Sequence, residues 1–145
     1  MDFKTNPRGL RNNNPGNIRL GNDWKGEANG SDKSFETFTS VEWGIRALYK
    51  IIEAYKVKYN AVTIKDIITR YAPSNENHTA GYINQVYQFM LDHAFAAQSK
   101  ILLSDKQNTD IHQEAMIHIF VAAIILVENG IQPFNFEFIA ECQKL

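Results

Sequence analysis

Between Arg11 and Ile18 the chain reads Asn12-Asn13-Asn14-Pro15-Gly16-Asn17, and no regular helix or strand can run through it. Asn and Gly tolerate left-handed backbone angles, Asn side chains bond to neighbouring backbone groups, and Pro15 lacks an N–H. Such a segment is either a demanding turn or the wall of a polar site. Trp24-Lys25-Gly26-Glu27 follows, and Glu36 comes nine positions after Glu27. This pair of carboxylates is the best candidate for chemistry in the sequence.

The turn-rich character extends to about residue 39. Short β segments are expected at Asn17–Leu20, Asp23–Glu27 and Ser34–Phe38, the last two joined across Asn29-Gly30-Ser31-Asp32. With a loop at Gly30–Lys33, Glu27 and Glu36 would stand directly opposite one another on one face, a pairing that a one-residue slip would destroy. Helices then take over. Thr39-Ser40-Val41-Glu42 has the form of a capping box, and Val41, Ile45, Leu48, Ile52 and Tyr55 make one apolar face of a helix to about Lys58. Further helices are expected from Thr63 to Ala72, from about Ala80 to Phe95, from about Asp110 to Glu128 and from about Asn135 to Lys144. Ser104-Asp105-Lys106-Gln107 reads as another capping box. The run Ile119–Val127 makes the fourth of these the central buried helix, ended by Asn129-Gly130.

A chain of 145 residues matches one domain. A net charge of −1 provides no electrostatic footprint for nucleic acid and no polybasic arm for anionic lipid. The nine-residue apolar run falls short of the ~20 needed to span a bilayer, so no membrane insertion is expected. Met1–Pro7 has no apolar core of a secretory signal; the protein is expected to be made in the cytoplasm and to reach its place of action by another route. Cys142 alone cannot form an internal disulfide and reads as a small apolar residue of the last helix. His78, His93, His112 and His118 show no zinc-binding spacing. No metal or organic cofactor is expected.

The segments Asn13-Asn14-Pro15-Gly16-Asn17-Ile18, Trp24-x-Gly26, Phe35-x-x-Phe38, Gly44-Ile45-Arg46-Ala47, Arg70-Tyr71-Ala72-Pro73 and Glu76-Asn77-x-Thr79-x-x-Tyr82-Ile83 occur in that order over residues 8–86. In this the chain resembles the lysozyme-like superfamily, and more narrowly the phage and secretion-associated cell-wall hydrolases with an Asn-Asn-Pro-Gly-Asn-Ile signature. The resemblance implies an α+β fold, mainly α-helical with a small N-terminal β-hairpin lobe: one domain, residues 1–145, with a β-lobe and loop to about 39 and a helical lobe from 40. It implies cleavage of the β-1,4 glycan of peptidoglycan, as a phage lysin or an antibacterial effector delivered by phage or secretion system. An effector would have an immunity or inhibitor protein as partner. The same fold also serves non-catalytic wall-binding and virion structural modules. Two family patterns are incomplete here. Glucosaminidases of this kind carry a catalytic Glu upstream of the Asn-rich segment, where this chain has only Asp2. Phage-type lysozymes use Glu, eight residues, Asp, five residues, Thr; Glu27 and Glu36 keep the first spacing, but Glu42 stands where the Thr would be.

Glycoside cleavage needs a proton donor at the leaving oxygen and, in most enzymes, a second carboxylate. The donor must hold its proton near neutral pH, which an apolar setting or a like charge can arrange. Glu27, close to Trp24 in a Gly-rich segment, is assigned as general acid and Glu36 as the second carboxylate; the bland alternative is two solvated glutamates on an exposed hairpin. Glu76 is the rival acid and otherwise braces the following helix. Asn13 and Asn17 hold the loop and offer amides to an N-acetyl group. Trp24, Thr37, Glu76, Tyr71 and Tyr82 complete the expected substrate-binding set, although Tyr82 lies at helical spacing that suits a core residue equally well.

Overall fold

A computed structural model describes residues 6–73, 75–106 and 108–145; the side chains of Glu76 and Asn77 lie outside that description. The chain is mostly helical with one small antiparallel sheet. Its elements are α1 (Arg8–Arg11), β1 (Glu27–Ala28), β2 (Thr37–Phe38), α2 (Val41–Tyr59), α3 (Ile64–Tyr71), α4 (Glu76–His93), α5 (Ala97–Leu103), α6 (Ile117–Asn129) and α7 (Phe136–Cys142). They pack as two units: Met1–Ile51 with Ile124–Leu145, and Ile52–Ala123.

The unit that carries the sheet is organised by the Asn-rich loop. Asn13 and Asn17 both adopt positive φ, 54° and 52°. Gly44, at the start of α2, packs so closely on this loop that a Cβ there would lie 2.0 Å from the Asn13 carbonyl oxygen. Asn129, at the end of α6, donates to the Pro15 carbonyl at 2.7 Å and to the Ile125 carbonyl at 2.9 Å. Ile18, Phe38, Ile45, Leu48 and Ile139 are buried here. In α7, Asn135 caps the first turn by accepting from the Phe138 N–H at 2.8 Å. Cys142 is buried, and desolvation pushes its thiol up to about 11.

In the second unit α3 and α4 pack on each other, and Ile64, Ile67, Ile68, Val86, Met90 and Leu103 are fully buried. Thr63 caps α3 through the Asp66 N–H at 3.1 Å. Tyr87 ties α4 to the end of α5 through its hydroxyl, 2.5 Å from the Leu103 carbonyl. In α6, Phe120 to Ile125 are wholly without exposure, as a helix apolar on every side requires.

Several expected boundaries shift. Instead of three strands, the described residues form two two-residue strands and an isolated bridge, Arg19↔Phe35. Side chains of Asn13, Asn14 and Asp32 take backbone partners that a longer ladder would have used. α4 starts at Glu76 rather than about Ala80, because Asn75 caps it by accepting from the His78 N–H. α6 starts at Ile117 rather than about Asp110, because Glu114 and Ala115 take positive φ and break the helix. Ser104 ends α5 instead of opening a helix; Gln107, the last member of the expected capping box, lies outside the described residues.

Candidate active site

Glu36 is placed by two neighbouring stretches of chain. Its N–H donates to the Ile18 carbonyl at 2.9 Å, and its carbonyl accepts from Asn14 Nδ2 at 2.9 Å. Asn14 is fully buried and spends its whole amide: Nδ2 also donates to the Ile18 carbonyl, and Oδ1 accepts from the Ile18 N–H, each at 2.9 Å. One side chain thus takes the place of a missing strand partner. On the outward face, the guanidinium of Arg8 lies 4.4 Å and that of Arg19 5.1 Å from the centre of the Phe35 ring. Asp32 fastens the hairpin end, accepting from Arg8 at 2.6 and 2.7 Å, Asn12 at 2.9 Å, and the N–H groups of Ser34 at 2.9 Å and Phe35 at 3.0 Å. These donors, the Arg8 guanidinium foremost, hold the Asp32 carboxyl well below the usual carboxylate range.

Successive strand residues alternate in facing, so Glu36 shares the inward side with Phe38, which is 1% exposed. Glu36 is 1% exposed as well. The register pairs Glu27 with Phe38 and Ala28 with Thr37. Glu27 and Glu36 are therefore diagonal rather than directly opposite, because the register differs by two residues from the expected one. A shift of two keeps both side chains on one face. The two carboxyls are within hydrogen-bonding reach of each other.

This contact sets the electrostatics of the site. Burial foremost, then the hydrogen bond to Glu27 and the Glu27 charge, with a smaller push from the charge of Asp23, raise the Glu36 carboxyl from 4.5 to about 7. A hydrogen bond from the Gly21 N–H opposes the rise. Two carboxylates cannot hydrogen-bond unless one is protonated, and Glu36 Oε2 is buried without a donor. A protonated Glu36 carboxyl can donate where a carboxylate could not, and the neighbouring charge of Glu27 favours that form. The desolvation expected at Glu27 falls on Glu36 instead: Glu27 sits at the open edge of β1 and is exposed.

The other expected site residues separate. Asn13 Nδ2 donates to the Phe38 carbonyl at 3.0 Å, and Asn17 Nδ2 to Glu128 Oε1 at 2.9 Å, so both amides brace the loop. Trp24 is half-buried with its indole N–H enclosed, and Thr37 sits in β2 against Gly30, where a Cβ would lie 1.9 Å from the Thr37 hydroxyl. Tyr71, Glu76 and Tyr82 belong to the other unit. Tyr82 is 3% exposed, a core residue rather than a platform for a sugar ring. Glu76 opens α4, and its side chain lies outside the described residues. Sequence reasoning passed over Gly21 and Asp23. The Gly-Asn-Asp run of residues 21–23, ahead of Trp24, is a turn signal that marks a loop beside Glu27. Among the described residues no cluster of three or more His, Cys, Asp or Glu side chains is placed to hold a metal, and no helix is long and apolar enough to cross a membrane.

No protein-family model matches the chain. Protein P5 of Pseudoalteromonas phage PM2 is 38% identical to it over 135 residues, a stretch that covers 90% of this chain and 76% of that protein.

Proposed function

The chain belongs to the family of Protein P5 of phage PM2, and we propose that it is a lysozyme-like glycosidase that cleaves the β-1,4 glycan of peptidoglycan. The observation that carries this reading is the carboxyl pair: a buried Glu36 raised to about 7 and in hydrogen-bonding contact with an exposed Glu27. Glycoside cleavage at neutral pH calls for an acid that still holds its proton there. Glu36 supplies the affinity for the proton, and Glu27 supplies access to the substrate. The proton passes from Glu36 to Glu27 and on to the glycosidic oxygen as the bond from C1 to that oxygen breaks. The Asn-Asn-Pro-Gly-Asn-Ile signature supports the reading by holding Glu36 in place through Asn14. The phage source of the relative supports action on a bacterial wall during infection.

A second reading is a wall-binding or virion structural module without catalysis. The phage source suits it equally, and so does the depth of Glu36. Turbidity loss of purified cell walls separates the two. The glycosidase reading predicts clearing by wild type and a loss of about 10²-fold or more in Glu27→Gln. Wild type and variant that both bind walls while neither clears them would leave only the structural module.

A further inference from the structure

Two asparagine side chains turn their oxygens into the protein with no donor to meet them. Asn129 is 8% exposed, and its Nδ2 donates to the carbonyls of Pro15 and Ile125. Asn17 Nδ2 donates to Glu128 Oε1 at 2.9 Å. These contacts fix which way each amide points. Turned over, Asn129 would aim its oxygen at two carbonyls, and Asn17 would aim its oxygen at a carboxylate. Both Oδ1 atoms are buried, and among the described residues no N–H or O–H donates to either. A buried acceptor without a donor is costly, so two such atoms aimed at one place point to a ligand.

That place is the bare side of Gly9. A Cβ built there would lie 2.7 Å from Asn129 Oδ1, 2.9 Å from Asn17 Oδ1 and 2.8 Å from the Asn14 carbonyl oxygen. Gly9 is buried in α1, so the three oxygens gather over the face where any other residue would carry its side chain. The Asn14 carbonyl also accepts the Asn17 N–H at 3.0 Å and has a second lone pair to offer. All three are neutral carbonyl-type oxygens, the ligands that replace the hydration shell of potassium in selective pores. None is a carboxylate, on which calcium sites rely. A water brings two hydrogens to three oxygens, whereas a cation satisfies all of them. The surrounding field also favours positive charge. Asn129 is the last of the thirteen residues of α6, whose C-terminal end is negative, and the Glu128 carboxyl stands beside Asn17.

We propose that Gly9, Asn14, Asn17 and Asn129 form a binding site for one potassium ion. The ion rests over the Gly9 Cα and takes Asn17 Oδ1, Asn129 Oδ1 and the Asn14 carbonyl as ligands. It ties the Asn-rich loop to the end of α6. Through Asn14, whose side chain accepts from the Ile18 N–H and donates to the Glu36 carbonyl, it steadies the strand that carries Glu36. The site stands whether or not the protein cleaves glycan.

The test is urea unfolding of the full chain in potassium chloride or choline chloride at one ionic strength, for wild type and Asn17→Gly. Glycine at 17 removes the amide and still accepts the φ of 52°. Choline is too bulky for a cradle of three oxygens. Wild type is expected to gain stability in potassium over choline, and the gain should follow a single-site binding curve. The ratio of folded to unfolded protein should rise about tenfold when the ion exceeds its dissociation constant about tenfold. In Asn17→Gly the difference between the two salts disappears. Crystals of wild type grown in rubidium chloride locate the ion without any variant, and an anomalous peak is expected among the three oxygens. The proposal is overturned if wild type is equally stable in both salts, if Asn17→Gly keeps the full potassium dependence, or if no rubidium peak lies at the cradle. Should Asn17→Gly fail to fold, the salt series on wild type and the rubidium peak decide.

Discussion

At the scale of single residues the decisive feature is a glutamate with 1% exposure and a carboxylate for a neighbour. Folded, Glu36 binds its proton more tightly than it does unfolded. Its contribution to stability is therefore fully present below about pH 4.5 and is lost as pH rises through about 7. Wild type is expected to lose roughly 3 kcal/mol relative to Glu36→Gln between about pH 4 and about pH 8. Urea unfolding of both proteins across that range measures it, and parallel pH dependences would show that Glu36 is not the group responsible. Asn14 gives a second prediction. Replacing it with Ala leaves the buried Ile18 N–H and the carbonyls of Ile18 and Glu36 without the partners it supplies. Asn14→Ala should cost about 2–4 kcal/mol in the same assay.

At the scale of elements the helices were legible and the hairpin was legible only in part. The sequence placed helix starts at Thr63 and at about Asn135, and in the structure each of these side chains caps its helix. The apolar stripe of α2 put Ile45, Leu48 and Ile52 inside, where they are wholly buried. α5 escaped notice because Ala96 offers no capping side chain and its seven residues are too few for a clear period. Register was beyond reach because it is set by contacts distant in sequence, such as the Asp32 clamp to Arg8 and Asn12. The burial of Glu36 did have a signal: it stands two residues before Phe38, on the same side of the strand. Its depth depends on Asn14 and Ile18, which no local pattern joins to it. Asp32→Asn, which weakens the clamp, is expected to speed amide hydrogen exchange at Ser34 and Phe35 selectively, as NMR would show. Gly26→Ala should loosen the hairpin as well, since φ there is 82° and a Cβ would lie 2.1 Å from the Trp43 ring.

At the scale of the whole molecule, a mostly helical chain with a two-stranded sheet shares its family with a phage protein and presents one acid pair from its hairpin. The unit that holds the hairpin also holds the end of α6 and all of α7, so the chain returns from its far end to brace the loop that sets Glu36. The chemistry proposed for it has a pH signature: wall clearing should decline as pH rises past about 7, where Glu36 gives up its proton. The most direct measurement is a residue-resolved NMR titration of the Glu36 carboxyl in the intact protein, set beside the rate of wall clearing in the same buffers. The predicted result is a Glu36 midpoint near 7, with clearing falling along the same curve. A Glu36 midpoint in the ordinary carboxylate range near 4.5, with clearing indifferent to pH through neutrality, would contradict it.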